Sequence, residues 1–268
     1  MAARVVNARQ IVGALVRRDL IGRYRRTALG LVWSLIPAVF TVVSFYFLFV
    51  VIAGKSPAPD ITRPDGTGVP AYVFMSTGVV AWTLFSTAIG TSSRCVIAAG
   101  LMMRSLAFPR STLPLTAVIS ALVSFAFEFS VLMVLIIITV GPPSLEFLWT
   151  PFILLVLLTF SFGLALLLSA ASVYVRDLGE VIGLVLRLWI LGTPVVYSLD
   201  LIADQKNLVR AIELNPLTGI IISFRNVVLL DSPPDVTLMT YSTVVSVVML
   251  GVGWFFFHRW QRIFPELL

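Results

Sequence analysis

Arginines placed against an apolar segment are the first residues in this sequence with an evident chemical use. The stretch RRDLIGRYRRTALGLVWSLIPAVF, residues 17–40, begins with charged residues and then turns apolar without a linker. A planar guanidinium binds phosphate oxygens through paired hydrogen bonds. At the start of an apolar segment such groups can meet lipid phosphates, which predicts headgroup contacts for Arg17, Arg18, Arg23, Arg25 and Arg26.

Two other charges, Glu128 and Arg187, fall inside apolar segments. An ionisable group at the middle of a bilayer costs at least ~2.5 kcal/mol, so each should face protein or a water-filled cavity. Two interpretations stay open. The two side chains pair or line a substrate route, or Arg187 reaches back to the membrane surface, since it lies only about two turns into its segment.

Motifs for enzymatic chemistry do not occur in the sequence. There is no G-x-x-x-x-G-K-[ST] loop, and neither of the two lysines, Lys55 and Lys206, follows such a loop, so the chain cannot bind ATP as a P-loop protein. The single Cys95 and single His258 provide no Cys/His metal cluster, and no G-x-S-x-G is present. We expect no catalytic residue, cofactor or metal on this chain.

The composition is that of a membrane protein. The 268 residues are 59% hydrophobic and 12% charged, with a mean hydropathy of +1.01, whereas a soluble domain carries about 25% charged residues. Apolar runs near the ~20 residues needed to cross a bilayer recur along the chain. They predict an all-α polytopic membrane protein, a single domain over residues 1–268, with six spans at 29–53, 70–93, 113–140, 150–173, 181–197 and 236–257.

Basic residues set the predicted orientation. With the N-terminus in the cytoplasm, thirteen arginines lie in inside segments, while five basic residues and eight acids lie in outside segments. The positive-inside rule favours this arrangement, with both termini cytoplasmic. The net charge of +6 is therefore a topology signal. It does not indicate nucleic-acid binding, because the basic residues form no separate basic domain.

Two regions outside the spans have structure of their own. Residues 5–18, within the segment 1–28, place apolar side chains on one helical arc, which predicts an amphipathic helix in the headgroup plane, with a disordered basic tail as the alternative. Residues 198–235 contain the apolar run 217–224, which spans only ~12 Å as a helix. Asn215 and Pro216 suit a helix start. We predict two re-entrant helices, one at 202–214 and one after Asn215, with a loosely packed loop as the alternative.

Aromatic side chains are the candidates for contacts with a sliding ligand. Trp33, Phe40 and Phe47 recur every seven residues on one helix face, with Pro37 available to kink the first span. Broad aromatic faces can stack against sugar rings, although helix packing and lipid contact are the commoner roles. The predicted path residues are Trp33, Phe40, Phe47, Tyr72, Trp82, Phe85, Trp189 and Tyr197.

The same motifs, in order, give the chain a family resemblance. The first span opens with Arg23, Tyr24, Arg25, Leu29, Gly30, Trp33 and Pro37, followed by GVVAWTLFSTAI, LMMRSLAFPRSTLPL, YVRDLGEVI, GTPVVYS and ELNPLTGIIISFRNVVL. This series resembles the membrane subunits of type-2 ABC exporters that move O-antigen, teichoic acid, capsule and galactan. The resemblance covers nearly the whole chain.

That resemblance implies a bacterial inner-membrane permease that works as a homodimer with two copies of a separate ATPase, which would hold ATP and Mg. It implies a coupling helix at 99–112 that seats in the ATPase through Met103, Arg104, Leu106, Phe108 and Pro109. It implies a polyprenyl-linked glycan as substrate and short gate helices at the outer end, with Asn215, Pro216 and Arg225 as gate residues. The use of 17 arginines against two lysines indicates a GC-rich genome and favours galactan.

Three other functions were weighed from the sequence. A type-2 ABC permease for a drug or small lipid would share the fold. An ion-coupled secondary transporter would use several membrane carboxylates or broken helices, and here only Glu128 is available. A membrane glycosyltransferase would need an acidic catalytic pair, which is absent.

Overall fold

The computed structural model describes residues 8–24, 30–54, 56, 61–100, 108–175, 177–261 and 264. Within these ranges the chain is helical and contains no strand, only an isolated bridge between Thr62 and Gly68. The α-helices are α1 Ala8–Tyr24, α2 Leu35–Tyr46, α3 Ala71–Ala98, α4 Thr112–Thr139, α5 Thr150–Tyr174, α6 Leu178–Trp189, α7 Lys206–Glu213, α8 Pro216–Val228 and α9 Val236–Trp260. Short 3₁₀ helices precede α2, α5 and α7, and a π-helix, Phe47–Ile52, continues α2.

Five of the described helical segments are long and apolar enough to cross a membrane: Val32–Ile52, Ala71–Ala98, Thr112–Thr139, Leu145–Tyr174 and Val236–Trp260. The chain is therefore a polytopic helical membrane protein, as its composition predicts. These segments match the first, second, third, fourth and sixth predicted spans to within a few residues.

The predicted continuous span 181–197 is wrong. Helix α6 ends at Trp189, after 12 residues or ~18 Å, and turns follow it up to Tyr197. Gly192 and Pro194 lie in these turns. Glycine is a poor helix former, and proline lacks the amide hydrogen that the helix ladder needs.

Helix α3 is the central element of the fold. It packs against α2, α4, α5, α6 and α8, and Phe74, Met75 and Phe85 are among its fully buried side chains. Polar residues share this buried surface because they satisfy their own hydrogen bonds. The Thr77 hydroxyl donates to the Val73 carbonyl at 2.9 Å, for example. An apolar helix with small hydroxyl residues can thus be covered on nearly all sides.

Helices α5 and α9 touch backbone to backbone. A Cβ atom added at Gly163 would lie 2.6 Å from the Leu250 nitrogen, and one added at Gly253 would collide with the Gly163 carbonyl. Small residues allow this close approach, which is how helices commonly associate inside a bilayer.

The connections collect at two ends of the bundle. At one end Leu15 of α1 joins a buried cluster with Leu113, Val173, Phe257 and Phe264. We call this the inner end, after the predicted topology. The segments 61–70, 140–149 and 190–235 lie toward the other, or outer, end. A helix is thus present from Ala8 to Tyr24, as predicted, and it packs on the bundle through Leu15.

Candidate functional site at the outer end

Helix α8 begins where the sequence predicts. The Asn215 side chain accepts a hydrogen bond from the Leu217 amide at 3.1 Å, and Pro216 occupies the first helical position. The preceding predicted helix, 202–214, is shorter in the structure, with a 3₁₀ turn at Leu199–Ile202 and α7 from Lys206. Helix α8 does not stop at Arg225 but continues to Val228, over 13 residues.

Protein surrounds most of α8, and ten of its 13 residues are buried. The Ser242 hydroxyl donates to the Pro216 carbonyl at 2.7 Å, and the Tyr241 hydroxyl donates to the Leu214 carbonyl at 2.8 Å. Gly219 lets the backbone of α9 approach, since a Cβ there would lie 2.5 Å from the Leu238 carbonyl oxygen. The short apolar helix is therefore part of the protein core.

Arg225 is one of two buried arginines among the described residues of this region, and it is only 4% exposed although it carries a guanidinium group. Its Nη2 atom donates to the carbonyls of Pro194 and Val195, at 3.1 and 2.8 Å. The guanidinium carbon lies 3.7 Å from the centre of the Phe74 ring, a cation–π contact. Arg225 thus connects α8 to the turns after α6 and to α3.

Residues 193–196 of those turns are buried as well, which explains why Arg225 is needed. Thr193, Val195 and Val196 are essentially inaccessible, and carbonyls outside a helix ladder must find other donors when no water reaches them. Arg225 supplies two of these bonds. Asn215 donates through Nδ2 to one further carbonyl, that of Gly192 at 3.3 Å, and to the Thr193 hydroxyl at 2.8 Å.

Gly78 of α3 provides the space for this contact. A Cβ atom at position 78 would collide with the Val195 carbonyl oxygen and lie 2.6 Å from Arg225 Nη2. Only a residue without a side chain can stand where the turns, the guanidinium and α3 meet.

A second buried arginine, Arg63, joins the outer segments to one another. It is 3% exposed. Its Nε donates to the Leu229 carbonyl at 2.8 Å, and Nη1 lies 3.2 Å from both the Pro142 carbonyl and Asp231 Oδ2. Asp231 also accepts from the Ser144 amide at 3.0 Å. Arg63 was counted in the sequence only as an outside charge, because its partners lie far along the chain.

The predicted path aromatics divide into exposed and packed groups. Trp33, Phe40 and Phe47 are exposed along one face of the first span, Phe40 by 71%, and Tyr72 is exposed at the start of α3. By contrast Trp82, Phe85 and Trp189 pack together, with centroid distances from Phe85 of 5.5 and 5.4 Å. Tyr197 donates to the Leu191 carbonyl at 3.0 Å. The buried Trp82 and Phe85 therefore line no open surface of the chain.

The two intramembrane charges do not form an ion pair with each other in the described structure. Glu128 is buried and accepts a 2.6 Å hydrogen bond from the Thr83 hydroxyl, which links α4 to α3. Arg187 is exposed on α6. The carboxyl faces protein, as a buried carboxyl in a membrane should.

At the inner end, Arg94 of α3 and Glu180 of α6 form an exposed ion pair at 2.7 Å. Of the predicted coupling residues, Pro109 is exposed and Phe108 packs against the Leu15 cluster, while Met103, Arg104 and Leu106 lie outside the described residues. Of the predicted headgroup arginines, Arg17 and Arg18 are exposed. Arg25, Arg26 and the side chain of Arg23 lie outside the described part.

A helical bundle with five membrane-length helices among its described residues, together with a buried short helix, is an integral membrane protein. Residues 10–229 match the sequence pattern of the ABC-2 type transporter family. Because the match covers most of the chain, the protein belongs to that family.

Named relatives resemble the chain over almost its full length. It is 27% identical over 258 residues to the O-antigen export system permease protein RfbA of Myxococcus xanthus, covering 96% of this chain and 95% of the relative. It is 26% identical to a protein of the same name from Klebsiella pneumoniae, covering 95% and 93%.

Proposed function

We propose that this chain is the membrane subunit of an ATP-driven exporter that carries a lipid-linked polysaccharide out of the bacterial cytoplasm. The observation that carries the proposal is the end-to-end similarity to permeases named for O-antigen export. The exposed aromatic face of the first span supports it, because such a face can slide along sugar rings. The use of arginine in place of lysine indicates a GC-rich genome, and that source favours galactan as the glycan.

We infer six membrane crossings, the fifth of them only half helical. Glu180 lies at the inner end, where it pairs with Arg94. From there the chain runs to Pro194 and Val195, which lie beside α8 toward the outer end. The segment between them therefore passes from one end of the bundle to the other. Irregular backbone at membrane depth is tolerated where protein buries it and satisfies its hydrogen bonds. The contacts of Arg225 and Asn215 meet that condition. In this arrangement α7 and α8 form the outer gate.

We place the glycan route between two copies of the chain, since six spans from one copy are few to enclose a conduit of glycan size. Both α2 and α6 pack against α3 and leave apolar faces uncovered. On α2 these include Phe40 and Val43, and on α6 they include Leu184 and Leu188. We propose a homodimer with its two-fold seam along these faces. ATP binding to two partner subunits would open that seam.

Coupling to the ATPase is tested at Met103. Met103→Asp is expected to reduce copurification of the ATPase at least ten-fold, because an apolar contact of the coupling helix becomes charged; a tenfold loss corresponds to ~1.4 kcal/mol. Phe108→Asp is a poorer probe, since Phe108 packs on the chain's own inner cluster. The control is Leu145→Asp, the same kind of change at an 83% exposed residue near the outer end. Undiminished copurification of the Met103 variant would contradict the coupling role.

The crossing number is tested with single cysteines in a Cys95→Ser background. A membrane-impermeant maleimide added to intact cells is expected to label Lys206→Cys and Val236→Cys, which are exposed at the outer end, and to spare Ile221→Cys, which is 1% exposed. Asp177→Cys should react only after the membrane is permeabilised. Reaction of the Val236 variant only after permeabilisation would mean that α8 is a full span.

The substrate is tested by depleting the chain from its native cell. A polyprenyl-linked glycan is expected to accumulate on the cytoplasmic side while surface glycan falls, and the wild-type gene should reverse both changes. Loss of a drug or small-lipid export activity without glycan accumulation would place the chain among the other type-2 permeases.

A further inference from the structure

A groove at the inner end, between α5 and α9, belongs to none of the regions described so far. It encloses about 1110 Å³. Ala171, Tyr174 and Val175 line it from α5, and the last two turns of α9 line it from Trp254 to Trp260. The two helices touch at Gly163 and Gly253 and the groove opens beyond that contact, in the final turns of both spans.

The walls of the groove combine aromatic rings with a cation. Trp254 is 47% exposed and Phe255 61% exposed. The His258 ring lies against the Trp254 ring, with 4.2 Å between centroids and 35° between the ring planes, and its Nδ1 lies 3.1 Å from the Trp254 carbonyl, which holds the imidazole in place. Arg259 is exposed and, among the described residues, forms no ion pair. None of the described residues that line the groove is acidic.

An apolar strip runs from the groove along α9 toward the outer end. Val244, Val248, Val252 and Phe255 are exposed with the spacing of one helix face. Gly251 leaves open space between them, since a Cβ there would meet nothing within 4 Å. The strip is apolar and runs along the membrane normal, so it can take an acyl chain. The groove at its end carries a cation, so it can take a phosphate-bearing headgroup.

We propose that this groove is a binding site for an anionic glycerophospholipid of the surrounding bilayer. Arg259 contacts the headgroup phosphate, Trp254 and Tyr174 lie at the glycerol level, and one acyl chain follows the α9 strip. Aromatic rings favour that depth of the membrane, and basic pockets between spans on the cytoplasmic side suit acidic lipid headgroups. The bilayer supplies such lipids next to the groove at all times. The site is independent of the glycan route and of the exported substrate.

The test measures quenching of Trp254 fluorescence by lipids with brominated acyl chains. The full chain is placed in phosphatidylcholine nanodiscs that contain a minor fraction of brominated phosphatidylglycerol or brominated phosphatidylcholine. The signal that Trp254→Phe removes is taken as the Trp254 contribution. We expect half-quenching at about a five-fold lower mole fraction of the anionic lipid, the effect of one cation near an anionic headgroup. Unbrominated phosphatidylglycerol should relieve this quenching, and phosphatidylcholine should not.

Variants assign the effect to its residue. Arg259→Gln is expected to abolish the preference and Arg259→Lys to keep it. Arg210→Gln, an equal charge change at an exposed position of α7, should leave it intact. Identical quenching by the two lipids in the wild-type chain, as expected if a second copy or another protein covered the groove, would overturn the site. If the preference for the anionic lipid survives Arg259→Gln, Arg259 is not the residue that contacts the headgroup. The competition experiment needs neither Arg259 variant, so it decides the matter even if one of those variants fails to fold.

Discussion

Replacing Gly78 with alanine is expected to destabilise the protein by about 3 kcal/mol, the upper range for overpacking a tight core. The added Cβ would collide with the Val195 carbonyl oxygen and lie 2.6 Å from Arg225 Nη2. The carbonyl belongs to buried backbone, so no side-chain rotation relieves the collision. We expect the midpoint of thermal unfolding in detergent to fall by roughly 5–10 °C, with loss of export.

The matched control is Gly90→Ala in the same helix. A Cβ at Gly90 would meet nothing within 4 Å, and alanine is the better helix former by up to ~1 kcal/mol. This variant should therefore unfold at the wild-type temperature or slightly above it. If the Gly78 and Gly90 variants behave alike, the close approach of the turns to α3 is wrong.

Loss of the Arg225 guanidinium is the second large effect that we expect. Arg225→Met keeps much of the side-chain volume but leaves the carbonyls of Pro194 and Val195 without their donor. Each of the two unsatisfied buried carbonyls costs about 1–3 kcal/mol, and removal of the buried charge returns part of the sum. We expect a net loss of about 2–3 kcal/mol, together with a loss of export larger than the loss of protein in the membrane.

Two comparisons make this result specific. Arg210→Met removes an exposed arginine from α7 and should not change the unfolding temperature measurably. Arg225→Lys retains a donor and a positive charge and should fall between the wild type and the methionine variant. Unfolding is followed by the thermal midpoint and export by surface glycan per unit of permease. Normal export by the Arg225→Met chain would contradict the proposal that α8 and its contacts form part of the gate.

Hydropathy predicts the long spans well because the apolar composition that lets a segment cross the membrane is contained within the segment itself. The capping pair Asn215 and Pro216 is local too, and the start of α8 was predicted from it correctly. The break after Trp189 was missed, although Gly192 and Pro194 signal it, because an apolar run conceals a change from helix to turn.

Contacts between distant residues explain the other misses. In the sequence Arg225 interrupts the apolar run 217–224. Its partners lie 30 and 31 residues away, and they let the helix continue to Val228. Periodicity also cannot distinguish a ring that packs inward from one that faces a ligand. Phe85 and Phe40 therefore look alike in the sequence, although the Phe85 side chain is 0% exposed and the Phe40 side chain is 71% exposed.

The Arg63 contacts constrain the order in which this protein can be assembled during synthesis. Arg63 bonds to the Leu229 carbonyl, 166 residues later in the chain, and to Asp231 beyond it. Until α8 and the segment after it have been made and inserted, the Arg63 guanidinium lacks these two partners and can bond only to the carbonyls of Val140 and Pro142. The first outer loop therefore reaches its final position last, and an insertion intermediate truncated before Leu229 should expose this loop to protease while its early spans are already in place.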